Sequence, residues 1–105
     1  DQFKEDDNKN ILVCVLDPNY MDQYYKIVNE LRENNINSEI YLDSTKNLKK
    51  QLTYADKKGC SLAIICGQEE IEQGRITIKK LKSKKENDQI SISSKNLINE
   101  IKKLI

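Results

Sequence analysis

A chain of 105 residues, 37% of them hydrophobic, is large enough for one domain with a single core and needs no metal or disulfide to hold it. Eighteen lysines and arginines face 17 acids, a formal net charge of +1, so total charge neither demands nor excludes an anionic partner. No apolar run approaches the roughly 18 residues that cross a bilayer, and no signal-peptide pattern opens the sequence.

Residues 1–9 are polar and charged and begin with Asp1 rather than Met. They read as a linker from an upstream domain, with the folded domain expected over residues 10–105. Ile11 to Leu16, ILVCVL, is a continuous apolar run, the pattern of a parallel strand covered on both faces. Asp17-Pro18 then starts a helix, with Asp as N-cap and Pro at the first helical position. Tyr24, Ile27, Val28 and Leu31 give that helix one apolar stripe through about Glu33. Asn34-Asn35 supplies a left-handed stop.

A second short strand is expected over Glu39 to Leu42, followed by a helix capped by Ser44 or Thr45. Its buried face is marked by Leu48, Leu52 and Ala55, with Lys49, Lys50, Asp56 and Lys57 towards water, and Gly59 ends it. Leu62 to Cys66 is a third apolar strand, closed by Gly67. After an acidic turn the period changes. Ile76 and Ile78 alternate with Arg75, Thr77 and Lys79, so this strand buries one face only. Asn87-Asp88 turns the chain into a short return strand over Ile90 to Ile92, and Ser93 or Ser94 caps a last helix with Leu97, Ile98, Ile101 and Leu104 on one stripe. The expected fold class is α/β: a βαβαβ start in three layers, then a β-hairpin and a C-terminal helix. That gives about five strands in a mixed sheet and three helices.

Several chemistries are excluded. The chain has no histidine, so neither a Ser-His-Asp nor a Cys-His nucleophile pair can be built from it. No GxGxxG or GxxxxGK[ST] is present, and Gly59, Gly67 and Gly74 are too dispersed to cradle a nucleotide phosphate. A phosphoryl-accepting receiver domain needs an acidic cluster at strand ends, where only Asp17 and Asp43 fall. Cys14, Cys60 and Cys66 form an odd set with no CxxC spacing and read as buried, reduced thiols of a cytoplasmic protein. The segment is not expected to be a catalyst or to hold a metal.

Charge is segregated despite its balance. Lys46, Lys49, Lys50, Lys57 and Lys58 are accompanied by Asp56 alone, and Lys79, Lys80, Lys82, Lys84 and Lys85 by no acid. Acids gather in residues 1–7 and at Glu69, Glu70 and Glu72. Clustered lysines can bind phosphates, although a solvated surface also accounts for them.

Four stretches carry a family resemblance: ILVCVL, LRENNINSEIYLD, NLKKQLTYADKKG and IICGQEEIEQGRITIKKL. The last contains a G-x-x-E-x-x-x-G-x-x-x-x-[KR] pattern at Gly67, Glu70, Gly74 and Lys79. Together they resemble the C-terminal anticodon-binding domain of class II aminoacyl-tRNA synthetases, the histidyl members in particular. The resemblance implies binding of a histidine tRNA through its anticodon stem-loop, whose unpaired bases a protein can reach directly. It implies that Glu70 accepts hydrogen bonds from a base and that Lys79 donates to a base or phosphate oxygen. It also implies that the loop carrying Ser44, Thr45, Lys46 and Asn47 faces the RNA. Lys49 and Lys50 are assigned to backbone phosphates on physical grounds rather than by motif. ATP and Mg²⁺ are implied for a catalytic domain elsewhere in a homodimeric full-length enzyme, with no cofactor in this segment.

The same fold reused as a regulatory or accessory domain without anticodon specificity is the alternative. Glu70 also has a simpler reading, an exposed ion pair with Arg75 or Lys79 worth about 0–1 kcal/mol. Among the tyrosines, Tyr24 is expected in the core and Tyr54 at its boundary, leaving Tyr20 as the candidate for stacking on a base. Gln68 stands where relatives often carry an acid, and Arg75 where the family position is usually uncharged. The hairpin end at Lys82 to Lys85 is poorly matched.

Overall fold

The computed structural model describes residues 10–43, 46–82 and 88–105. The expected linker 1–9, the caps Ser44 and Thr45, Lys84, Lys85 and the turn residue Asn87 lie outside the described residues. In chain order the elements are β1 (Ile11–Val13), a 3₁₀ turn (Pro18–Tyr20), α1 (Met21–Glu33), β2 (Ser38–Ile40), α2 (Leu48–Lys58) and β3 (Leu62–Ile65). There follow α3 (Gln68–Gln73), β4 (Arg75–Lys80), β5 (Gln89–Ser93), a second 3₁₀ turn (Ser94–Asn96) and α4 (Leu97–Leu104). The described strands form one sheet in the order β2-β1-β3-β4-β5. β1 is parallel to β2 and β3, whereas β4 is antiparallel to β3 and β5. The α/β class and the mixed five-stranded sheet agree with the sequence; the helices number four among the described residues, α3 being the addition.

Side-chain alternation along the strands builds two cores. Ile11, Val13 and Val15 join Leu62, Ile64, Ile76, Ile78 and Ile92 on one face, where Tyr24, Val28 and Leu31 of α1 and Leu97 and Ile101 of α4 cover them. Leu12, Cys14 and Ala63 point to the other face and pack with Ala55 of α2 and Cys60. The second core is smaller because one short helix covers only the parallel half of the sheet. The caps follow the residue types. Asp17 accepts from the Asn19 N–H at 3.0 Å ahead of Pro18, Asn35 turns left-handed at φ 62°, and Gly59 does so at φ 83°. Arg32 donates from Nε and a terminal nitrogen to the Ser38 carbonyl at 3.3 and 3.0 Å, closing α1 onto the outer strand. No helix among the described residues is long and apolar enough to cross a membrane.

β1 is shorter than its apolar run, and the reason is chemical. At Val15 the main chain leaves strand pairing and bonds to a side chain: Gln51 Oε1 accepts the Val15 N–H at 2.8 Å, and Gln51 Nε2 donates to the Val15 carbonyl at 2.7 Å. The next two N–H groups, of Leu16 and Asp17, donate to the Tyr24 hydroxyl at 3.3 Å, while that hydroxyl donates to the Cys66 carbonyl at 2.6 Å. Tyr24 and Gln51 are both fully buried, and the Val15 N–H and carbonyl and the Cys66 carbonyl that they satisfy would otherwise be stranded without water.

Replacing Gln51 by Leu should lower unfolding stability by roughly 2–3 kcal/mol, because it orphans the Val15 N–H and carbonyl. Tyr24→Phe should cost roughly 1–3 kcal/mol for the same reason. Urea midpoints at constant m-value would measure both; losses below about 0.5 kcal/mol would contradict the assignment. The thiols make a second prediction. Burial pushes Cys14 from 9.0 up to about 12 and Cys66 to about 11. Both stay protonated in the folded chain at a pH where the unfolded chain ionises, so the unfolded state binds fewer protons. Stability attributable to them should be intact below pH 9.0 and fall as the pH rises from 9.0 towards 12, visible as a declining urea midpoint.

Candidate nucleic-acid interface

The parallel strands β2, β1 and β3 end along one edge of the sheet, and the helices after β1 and β2 depart to opposite faces. Open α/β sheets place ligands outside such an edge, at the point where connections diverge. The chain before α2 emerges there. Sequence reasoning puts the α2 cap at Ser44 or Thr45; the cap is Asn47, whose side-chain oxygen accepts the Lys50 N–H at 2.9 Å. Asn is as good a cap as Ser, and starting at Asn47 sets Gln51 one turn inside the helix to reach β1. Gln51 Nε2 also donates to the Lys46 carbonyl at 3.0 Å, so Lys46 and Asn47 are fixed to the end of β1. The Lys46 ammonium stands 4.0 Å from Asp43, an exposed pair of little energetic weight. Thr45, the other candidate of this loop, lies outside the described residues.

From the same edge rises α3, a six-residue helix in place of the acidic turn. Glu70 occupies its third position and reaches back: Oε1 accepts the Gly67 N–H at 2.8 Å. This is the carboxylate half of a capping box, since Gly67 has no side chain to give the other half. A Cβ on Gly67 would lie 3.0 Å from Glu70 Oε1, so Gly67 is what lets the carboxylate come so close. Gly74 ends α3 at φ 68°. The ion pair considered for Glu70 does not form: the Arg75 guanidinium turns to Ser91, donating from Nε to Ser91 Oγ at 3.1 Å and from a terminal nitrogen to the Ser91 carbonyl at 2.9 Å. One Glu70 carboxylate oxygen is thus anchored at Gly67, and the carboxylate is not tied up in an ion pair with Arg75.

Lys79 stands on β4, opposite Ala63 on β3 and Gln89 on β5. Residues in register share a face, so Arg75, Thr77 and Lys79 line up with Gln89, Ser91 and Ser93 on the face opposite Ile76, Ile78 and Ile92. No β4 or β5 residue belongs to the core under α2. This half of the sheet is therefore bare: two cations, hydroxyls and an amide, with no acid among its strand positions. Such a surface complements a polyanion.

The lysines of α2 are arranged differently. Lys50, Tyr54 and Lys58 follow at four-residue spacing and form one row. Tyr54 donates to Glu39 of β2 at 2.6 Å and Lys58 stands 3.5 Å from the same carboxylate, so Lys50 occupies the β2 flank, away from β4. Lys49 lies outward on α2, exposed like Lys50. Tyr20 packs partly against the main core, and its hydroxyl donates to Glu72 Oε2 at 3.0 Å, which pushes the phenol above its ordinary value of 10.0. A depression of about 320 Å³ between α1, α3 and the start of α4, lined by Lys26, Ile27, Ile71 and Lys95, opens on the other side of the sheet from Lys79. Among the described residues no cluster of Cys, Asp or Glu could hold a metal ion.

Sequence reasoning missed Gln51, Ser91 and α3. Gln51 carried a signal, a polar residue set three after Leu48 and four before Ala55 on an apolar stripe. α3 carried one too, Glu at the third position after Gly67 and a stop at Gly74, but its single apolar residue, Ile71, shows no period. Ser91 had none, because only strand register brings it to Arg75.

The fold agrees with what the chain is similar to. The family model described as "Anticodon binding domain" matches residues 10–104. The histidine–tRNA ligase of Pelagibacter ubique is 54% identical over 106 residues, covering 100% of this chain and 23% of that protein. The histidine–tRNA ligase of Mesorhizobium japonicum is 44% identical over 71 residues, 68% of this chain and 14% of that protein. The crystal structure of histidyl-tRNA synthetase from Nostoc sp. PCC 7120 superposes with a TM-score of 0.83 at 26% identity, covering 91% of this chain and 22% of that one. The chain spans less than a quarter of the length of these relatives. With its family model matched from Asn10 to Leu104, the chain belongs to the anticodon-binding domain family.

Proposed function

We propose that this chain recognises the anticodon stem-loop of a histidine-accepting tRNA as the anticodon-binding domain of a histidine–tRNA ligase. The observation that carries the proposal is the pairing of two differently prepared groups within one family motif. The Glu70 carboxylate is anchored by Gly67 with one oxygen left over, and Lys79 stands on a bare sheet face without an acid opposite. An anchored carboxylate accepts from base amino or imino groups, and a lysine on a bare face donates to a base or phosphate oxygen. Lys46, Asn47 and the neighbouring Thr45 supply the loop side of the site, and the exposed ammonium groups of Lys49 and Lys50 contact phosphates.

In this proposal the rest of the protein carries the catalytic domain, which uses ATP and Mg²⁺ to join histidine to the tRNA. The residues described here bind and orient the RNA and take no part in that chemistry. Cytoplasmic location and a homodimeric full-length enzyme complete the reading.

Binding of a fluorescent histidine anticodon stem-loop, compared with an unrelated loop, tests it. The wild-type chain should prefer the matched loop and lose affinity as salt rises. Glu70→Gln retains an oxygen for the Gly67 N–H but removes the charge, and should erode the preference by about 1–3 kcal/mol. An unchanged preference would remove Glu70 from base recognition. Reversing Lys49 and Lys50 to Glu should weaken both loops alike and flatten the log–log salt dependence by roughly 1–2 units; an unchanged slope would sink their phosphate role. Absence of any preference in the wild-type chain would favour the regulatory or accessory alternative.

A further inference from the structure

Arg75 is exposed on β4 beside Thr77 and Lys79, and its surroundings give it a use. We infer that Arg75, held in place by Ser91, grips the RNA backbone beside Lys79, an inference that rests on the RNA-binding reading above.

Three observations support the assignment. Arg75 shares the bare face of β4 with Thr77 and Lys79, and the β5 positions in register there are Ser93, Ser91 and Gln89. The face therefore offers cations and neutral hydrogen-bonding groups without an acid to neutralise them, which suits a phosphodiester chain. A strand rises about 3.4 Å per residue, so Arg75 and Lys79, four residues apart, are separated by roughly 14 Å along β4. That spacing belongs to the α carbons; the guanidinium is drawn to Ser91, the register partner of Thr77, which brings it within about two residues, roughly 7 Å, of Lys79 along the strands. The two cations therefore face one short stretch of backbone from the β5 and β4 sides.

The third observation is order. An exposed arginine ordinarily loses rotamer freedom on binding. Here the Nε donates to Ser91 Oγ at 3.1 Å and one terminal nitrogen to the Ser91 carbonyl at 2.9 Å, which fixes the plane of the guanidinium before any ligand arrives. Those two bonds use a minority of its N–H donors, and the exposed remainder can donate to phosphate oxygens. Ser91 is accordingly a positioning residue: it touches Arg75, and Arg75 touches the RNA.

The test measures stem-loop binding by the intact chain over a series of salt concentrations. Arg75→Ala should weaken binding of matched and unrelated loops alike, roughly three- to tenfold, and flatten the log–log salt slope by about 0.7. Ser91→Ala keeps the charge, so it should leave the slope in place and cost roughly two- to threefold, restored by Ser91→Thr, which keeps the hydroxyl. Ser91→Ala added to Arg75→Ala should bring no further loss, since both act through one contact. A purely structural role for Arg75 would lower the thermal midpoint and leave the salt slope untouched, and that result overturns the inference. So does wild-type affinity in Arg75→Ala. If Ser91→Ala binds like wild type, positioning by Ser91 is overturned. Failure of the wild-type chain to bind any loop would refute the RNA-binding reading itself, whereas loss confined to Glu70→Gln and the Lys49 and Lys50 reversals, with Arg75→Ala unaffected, would refute the Arg75 role alone.

Discussion

Where β1 stops pairing, its main chain is handed to two side chains, and the architecture around the site depends on that transfer. The polar groups of Val15, Leu16 and Asp17 go to Gln51 from α2 on one face and to Tyr24 from α1 on the other. Backbone in a water-free interior has to find partners, and no neighbouring strand continues far enough to supply them. Through the same two residues the end of β1 is joined to the Lys46 carbonyl before α2 and to the Cys66 carbonyl before α3. The two segments that offer candidate RNA contacts are thus referenced to one point. Polar clamps of this kind cost little when every member is satisfied and a great deal when one is missing.

The sheet divides the labour. Its parallel half is sandwiched between helices and contributes to both cores, whereas β4 and β5 contribute to one core and are covered on one face only. α2 is too short and too close to β1 to shield the other face. The single apolar alternation Ile76, Ile78 against Arg75, Thr77, Lys79 encodes that asymmetry directly. The bare face arises from a shortage of covering helix rather than as a dedicated pocket, the kind of surface the proposed ligand, long, charged and solvated, would need.

Much of this was legible in the sequence, for reasons that can be assigned residue by residue. Apolar runs at Ile11 and Leu62 announced buried parallel strands because both faces are covered there. Asp17-Pro18, Asn35 and Gly59 announced ends because their backbone preferences are intrinsic. Glu70 and Lys79 are singled out only through the family motif; spacing alone does not distinguish them from surface charge. The expected α2 cap at Ser44 or Thr45 yielded to Asn47 because a buried Gln51 fixes where the helix must begin, a tertiary demand local propensity does not carry. Nothing local could have linked Arg75 to Ser91, which meet only after two strands align.

Arg32 of α1 and Arg75 of β4 also deal with a hazard at the sheet edges. β2 and β5 are its edges, and an edge strand offers unpaired carbonyls to any other chain that can add a strand. At β2 the pairing runs through Asn37 and Tyr41, which turns the Ser38 carbonyl outward, and Arg32 covers it. At β5 the bonds at Ser94 and Asp88 set the alternation that turns the Ser91 carbonyl outward, and Arg75 covers that one. A guanidinium on each rim occupies the acceptor and places a charge where an incoming strand would have to lie. The domain is thereby guarded at both margins against edge-to-edge aggregation, which matters for a protein that presents an uncovered sheet face to solvent.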